Sequence, residues 1–318
     1  MVAALTVRPG REAWGQRYVK SPLGHRLRTR NALHRFGPSA PGRPVLAVHA
    51  LFEAPGTASA VYVDCTHRQA AEGWPAWNPL RGNALRSWYA AETRTYQRAA
   101  HVFAFSRWAE RSLVKDYGVD PEQVSVVGLG ANFGAQPRPP RRPGPPTVLL
   151  VGHDLVRKGG EVLLRAFADV RREVPDARLR LVGRHPRPGR LPAGVESLGP
   201  VDRAGVASLM QRADVFALPS LFDPMPHALL EAMAHGLPVV TTRTCGIPEF
   251  VEDGVTGRLV DPGDAAGLAA TLVRCLTQPG RDAALGLTGQ ARVEEAHQWD
   301  HVVHRMAPAL DRLLGTAR

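Results

Sequence analysis

Cysteine is scarce: Cys65, Cys245 and Cys275 are the three among 318 residues. Odd in number and far apart, they exclude a disulfide framework and any CxxC metal or redox motif. Long apolar runs are missing as well. No stretch approaches the ~18 residues of a membrane span, and the first twenty residues lack a secretory apolar core, so a cytoplasmic protein is expected. Aromatics make up 6% of the chain. With no recognised reading module and a basic excess spread over helices, that argues against a nucleic-acid partner. The third scarcity is lysine: Lys20, Lys115 and Lys158 stand among 40 basic residues. A lysine inside a motif therefore carries weight that an arginine here does not.

At 44% hydrophobic and 22% charged, with mean hydropathy −0.18, the chain can bury real cores. Its net charge of +11 is unevenly placed: residues 1–146 hold 20 basic against 9 acidic side chains, and residues 147–318 hold 20 of each. A basic half suits nucleic acid, an anionic membrane face or a phosphorylated substrate, and composition does not choose. The sharpest break is the proline-rich stretch from Gln136 to Pro146, where neither a helix nor a sheet ladder can continue. It reads as a linker over 137–146 between domains at 1–136 and 147–318.

After the break, short apolar runs alternate with helical patterns. Strands are expected at Thr147 to Val151, Leu179 to Val182, Val195 to Leu198, Val215 to Leu218, Pro238 to Thr242 and Gly257 to Val260. Helices are expected from Glu161 to Val174 and from Pro226 to His235, the latter stopped by Gly236. Such alternation implies a parallel sheet, whose ligands sit beyond the carboxyl ends of the strands. The first half is α/β too, with strands expected near Val45 to His49, Ala60 to Asp64, His101 to Ser106 and Gln123 to Val127. Long helices are expected over Glu12 to Phe36, interrupted at Pro22, and over Ala84 to Ala100.

Three stretches carry chemistry. In the strand-to-helix loop Gly152 to Gly160, Arg157 and Lys158 sit among glycines at a helix start, which makes an anion site suited to a diphosphate. Asp223 lies just before a helix and could simply cap it. Glu231, eight residues on, sits among Leu229, Leu230, Ala232 and Met233, where an ionised carboxylate needs a partner. Gly246 to Glu249 and Asp253 to Gly257 read alone as turn chemistry. His297, His301 and His304 read as a surface stripe near Trp299 rather than a metal face.

Together these motifs resemble the family-4 (group 1) glycosyltransferases of the GT-B fold. The resemblance runs through VGH…RKGGEVLLRAF, RLRLVG, ESLG, ADVFALPS, the acidic-x7-Glu element from Asp223 to Glu231, EAMAHGLPVV and GIPEFVEDGVTGRLVDPGD. In the first half it runs through VYVDCTH, AHVFAFSRWAERSL and YGVDPEQVSVVGLGANF. It implies an α/β chain of two Rossmann-like domains facing a cleft. The N-terminal domain (1–136) would lie on the acceptor side, and the C-terminal domain (147–318, closing in helices) would bind the nucleotide sugar. The implied reaction is metal-independent, retaining transfer from a nucleotide-diphosphate sugar, with no cofactor. By resemblance Lys158 contacts the diphosphate and stabilises the leaving group, and Arg157, His153 and Gly159 share that loop. Glu231 binds ribose hydroxyls, and Asp223 holds hydroxyls of the transferred sugar. Met225 and His227 lie beside them. Asp64 falls where many relatives carry a sugar-contacting histidine, with His67 nearby.

Departures from the family pattern are Asp223 for glutamate, Pro226 for glycine, His153 for arginine, and a short N-terminal domain whose first strand has Ala3 to Val7 as its one candidate remnant. The acceptor is open: a glycolipid, a polysaccharide or a small molecule. Residues 11–36 mix arginines with Trp14, Tyr18, Leu23, Leu27, Leu33 and Phe36, which suits peripheral contact with an anionic membrane. The alternative to the enzyme is a catalytically inactive GT-B-like protein that keeps a nucleotide site.

Overall fold

Apolar runs that no polar residue interrupts are the signature of strands buried on both faces, and they form the spine of both halves. The computed structural model describes residues 21–36, 45–53, 59–136, 144–184 and 191–315. The chain divides into two units, Met1–Gly128 with Val303–Arg318, and Leu129–Val302.

In the first unit, α1 (Pro22–Phe36) precedes β1 (Val45–Val48) and β2 (Ser59–Val63). Then come α2 (His67–Gly73), α3 (Gly82–Arg98), β3 (His101–Ala104), α4 (Arg107–Tyr117) and β4 (Val124–Val126). The four strands lie in the order β1-β2-β3-β4, every neighbour parallel. Every residue of β2 and of β3 is buried. Thr66 and Gln69 close a capping box on α2. Pro22 stands in the first turn of α1, where its missing N–H is not needed. The expected remnant strand at Ala3 to Val7 and the start of that longer helix lie outside the described residues.

The second unit holds β5 (Thr147–Val151), α5 (Gly160–Glu173), β6 (Arg178–Val182), β7 (Val195–Gly199), α6 (Arg203–Arg212) and β8 (Val215–Leu218). It continues with α7 (His227–Ala234), β9 (Val239–Thr242), α8 (Ile247–Phe250), β10 (Arg258–Val260), α9 (Ala265–Thr277) and α10 (Pro279–Ala296). The sheet order is β10-β9-β8-β5-β6-β7, all parallel. Counted in chain order this is the doubly wound 3-2-1-4-5-6 arrangement, which reverses between β5 and β8. The six expected strands are all present, and α9 packs on α5 over the sheet.

Both expected domain limits move. Residues 129–136 belong to the second unit, where Ala131 N–H donates to the His297 carbonyl at 2.7 Å and Gln136 N–H to that of Ala234 at 2.9 Å. The final helix, α11 (Trp299–Gly315), leaves the second unit at Val302 and finishes in the first, where Arg305 Nε donates to the Val127 carbonyl at 2.7 Å. Most of the expected linker, residues 137–143, lies outside the described residues.

Candidate active site

The strand order reverses between β5 and β8, the position beyond whose carboxyl ends an open α/β sheet takes its ligands. Within the β5–α5 loop, Asp154 Oδ1 accepts from Arg157 N–H at 3.1 Å and the Asp154 carbonyl from Lys158 N–H at 2.8 Å. The loop winds tightly enough that Gly159, at φ +71°, closes it and caps α5. A Cβ there would stand 1.8 Å from the Pro219 carbonyl oxygen, so glycine is what lets the β5 and β8 loops meet. Leu221 N–H donates to the Arg157 carbonyl at 2.9 Å, stitching the two loops. The hydroxyls of Thr241, Thr242 and Thr244 hold the carbonyls of Leu218, Ser220 and Leu221 from the other side.

Lys158 and Asp223 meet here. Lys158 Nζ donates to Asp223 Oδ2 at 2.5 Å, and Arg157 Nη1 reaches Asp223 Oδ1 at 3.4 Å and donates to the Phe222 carbonyl at 2.8 Å. Ser220 Oγ and the Asp223 N–H, which points at Cys245 Sγ, complete the surroundings of this carboxylate. Asp223 is 2% exposed, and α7 begins after Pro226 with no side-chain cap. The local pattern's helix-cap reading therefore gives way to a buried ion pair. Burial pulls the Lys158 ammonium below the usual lysine range; Asp223 opposes this and Arg157 adds to it. Burial likewise pushes the Cys245 thiol up to about 11, so it stays protonated beside Asp223.

A cavity of about 350 Å³ lies at this point, lined among others by Gly152, His153, Arg157, Lys158, Met225, His227 and Glu231. Of the residues expected at the site, Arg157, Lys158, His153, Met225, His227 and Glu231 come together on its wall. Asp223 does not line it and meets it through Lys158 and Arg157. Gly159 acts through backbone shape. His153 accepts from the Arg184 N–H at 3.2 Å. One wall is thus cationic and backed by the N-terminal end of α5, and the other carries a carboxylate. The arrangement can hold a diphosphate at one end and hydroxyl donors at the other.

Glu231 has its partner, and it is one that local sequence does not suggest: Asn132, ninety-nine residues earlier, donates from Nδ2 at 2.9 Å. Asn132 is itself set by Trp299, whose indole N–H points at Oδ1 at 3.4 Å. Arg203 lies over Phe133 at 4.5 Å and donates to the Asn132 carbonyl. Gly130 fits flat on the Trp299 ring, where a Cβ would come within 2.5 Å. The signal available was the GANF tail of a resembling stretch, which carried no role. His297 is buried against Phe250, with ring centroids 5.3 Å apart, rather than standing in a surface stripe.

Asp64 and His67 lie in the first unit, on a second cavity of about 270 Å³. Asp64 Oδ1 pairs with His49 Nδ1 at 3.2 Å, and His67 Nε2 meets Asn78 Oδ1 at 3.1 Å. Burial pulls the His49 imidazole down, but the hydrogen bond and charge of Asp64, then the charge of Glu92, outweigh it and raise its pKa. A folded value above the unfolded ~6.5 means that this pair stabilises fully below about pH 6.5 and loses its effect as pH rises through the raised value. Urea midpoints of wild type and Asp64→Asn at about pH 6 and about pH 8.5 check this. The gap between the two proteins should be wider at the lower pH, and an equal gap at both would remove the linkage.

Among the described residues no group of three or more His, Cys, Asp or Glu side chains could hold a metal ion, and no helix is long and apolar enough to cross a membrane.

Residues 145–278 match the family model described as "Glycosyl transferases group 1". The chain is 30% identical over 244 residues to an MMP alpha-(1->4)-mannosyltransferase of Mycolicibacterium hassiacum, covering 72% of this chain and 59% of that protein. The chain spans about three fifths of the length of the first curated relatives it matches. Among solved structures it is similar to a sucrose-phosphate synthase from Thermosynechococcus elongatus, with TM-score 0.73 and 22% identity over 93% of this chain and 79% of that one. It is also similar to Anabaena Alr3699/HepE in complex with UDP and glucose, with TM-score 0.63 and 20% identity over 79% of this chain and 77% of that one. Family model, relatives and doubly wound parallel sheet agree, and the chain belongs to the group 1, family-4 type glycosyltransferases of the GT-B fold.

Proposed function

We propose that the protein moves a sugar from a nucleotide-diphosphate sugar to a hydroxyl of an acceptor, with retention of anomeric configuration and without a metal. The observation that carries this reading is the cavity at the β5/β8 reversal, with Arg157 and Lys158 on one wall and Glu231 on another. Departure of the diphosphate builds negative charge on its oxygens while the sugar gains oxocarbenium character. Fixed cations and the α5 N-terminus aimed at that charge lower the barrier. Glu231, held by Asn132, accepts from ribose hydroxyls. The Anabaena neighbour in complex with UDP and glucose supports the same donor class.

The test is a thermal-shift and donor-hydrolysis screen of UDP-, GDP- and ADP-sugars, followed by NMR assignment of the product's anomeric configuration with and without EDTA. One nucleotide should stabilise the wild type, and Glu231→Ala should weaken that nucleotide by about thirtyfold, about 2 kcal/mol and within the range of one charge-assisted hydrogen bond. Unchanged stabilisation in both Glu231→Ala and Lys158→Ala would place the donor elsewhere. Nucleotide binding without turnover over a broad acceptor panel would make this a binding protein.

Contact with an anionic membrane surface belongs to the same reading. On α1 the exposed Leu23, Arg26, Arg30 and Leu33 share one helical face at spacings of three, four and three. Flotation with vesicles containing phosphatidylglycerol should carry the protein, and Arg26→Glu with Arg30→Glu should leave it at the bottom. Equal flotation on neutral vesicles counts against the contact.

A further inference from the structure

Asn132 is exposed, yet distant parts of the second unit pin both its backbone and its side chain. Its carbonyl accepts from Arg203, whose guanidinium lies over the Phe133 ring at 4.5 Å. The preceding Ala131 N–H donates to the His297 carbonyl at 2.7 Å, and Gly130 lies against the Trp299 ring. The amide then bridges two groups: Nδ2 donates to Glu231 Oε1 at 2.9 Å, and Oδ1 faces the Trp299 indole N–H at 3.4 Å. An exposed asparagine ordinarily keeps its rotamer freedom, and fixing it costs entropy. Partners 71, 99 and 167 residues away do not serve a local turn.

Donor chemistry sets the orientation of the amide. An indole N–H can only donate, so it holds the amide oxygen and turns the NH₂ towards Glu231. A carboxylate only accepts, so one orientation satisfies both ends. Reversed, the amide would set N–H against N–H and oxygen against carboxylate oxygen. Glu231 is therefore restrained through Oε1, and among the described residues no hydrogen bond falls on Oε2. Glu231 lines the 350 Å³ cavity, and so does His227, whose ring lies 6.5 Å from that of Trp299. The bridge thus ends on a carboxylate of the cavity wall. A carboxylate held in advance loses little freedom when it accepts from a hydroxyl, so that hydrogen bond counts more fully towards binding.

We propose that Asn132, oriented by Trp299, is the positioning residue through which Glu231 selects a ribonucleotide over its 2′-deoxy form. This role rests on the glycosyltransferase reading above, in which Glu231 accepts from ribose hydroxyls. Asn132 acts through Glu231 alone.

The test is titration calorimetry on the full chain with UDP, GDP, ADP and their 2′-deoxy counterparts, with circular dichroism showing each variant folded. The nucleotide that binds wild type should bind about tenfold tighter than its deoxy form, the scale of one hydrogen bond to a charged group. In Asn132→Ala that ratio should fall to about twofold through weaker binding of the ribonucleotide, while the deoxy form binds as to wild type. Asn132→Asp keeps the volume and the acceptor for Trp299 but sets a second carboxylate against Glu231, so it should lose the ratio as fully as alanine. A residue that only filled space would keep the ratio as aspartate. Trp299→Phe keeps a ring against Gly130 without the N–H and should lower the ratio to about fivefold; added to Asn132→Ala it should change the ratio no further. A tenfold ratio surviving in Asn132→Ala or Asn132→Asp overturns the proposal. So does equal weakening of both forms in Asn132→Ala, or a wild type that binds both alike. In each of those cases a nucleotide still binds and the glycosyltransferase reading stands. Binding of no nucleotide at all removes both.

Discussion

Replacing Lys158 by alanine should lower the rate of sugar transfer by about 10²–10³-fold, the range seen when one preorganised donor to a developing anion is removed. Lys158 lines the cavity, is buried, and is held on Asp223 at 2.5 Å, so its ammonium is oriented before any ligand arrives. An ammonium has three donors. One is committed to Asp223, and the others can turn to phosphate oxygens without breaking that tether. Arginine should not restore the rate, since its planar fork demands different space and geometry from a point charge. Measured as nucleotide release per enzyme, a rate within about threefold of wild type would remove Lys158 from the transition state.

Asp223→Ala should act on stability first, lowering it by about 3–5 kcal/mol in denaturant unfolding, because it strands a buried cation. The carboxylate serves both Lys158 and Arg157, at 2.5 and 3.4 Å, and its side chain is 3% exposed. Without it two adjacent cations face each other in a desolvated loop. Asp223→Asn should cost less, because the amide oxygen keeps one acceptor. Adding Lys158→Met to Asp223→Ala should recover much of the loss, because the pair then disappears together. Additive losses in the double variant would show that the two residues are not coupled. The two substitutions should separate cleanly: Lys158→Ala is a rate variant, since Arg157 still answers Asp223, and Asp223→Ala is chiefly a stability variant.

The sheet of the second unit was legible because its central strands β5 and β8 are buried on both faces and read as the apolar runs VLLV and VFAL. Lys158 stood out through the scarcity of lysine, and Glu231 through its apolar neighbours on α7. What local pattern could not carry were pairings across long separations. Asp223 and Lys158 lie 65 residues apart, and the short-range signal around Asp223 fits a helix cap equally well. Asn132 lies 99 residues from Glu231 and is set by Trp299, a further 167 residues along the chain from Asn132. Proline marked a boundary by composition, but backbone hydrogen bonds from Ala131 and Gln136 tie the preceding segment to the second unit. Hydrogen bonds, not proline content, decide which unit a segment joins.

The path of α11 sets an order of events during synthesis. Domains emerging from the ribosome generally fold from the N-terminal end first. Here the first unit is joined by Val303–Arg318, whose buried Met306, Ala309 and Leu313 and the Arg305 contact to Val127 are made by residues synthesised after the whole of the second unit. Residues 129–302 can complete their sheet while the N-terminal half still waits for its closing helix. The second unit can therefore be whole before the first has received the helix that completes its contacts.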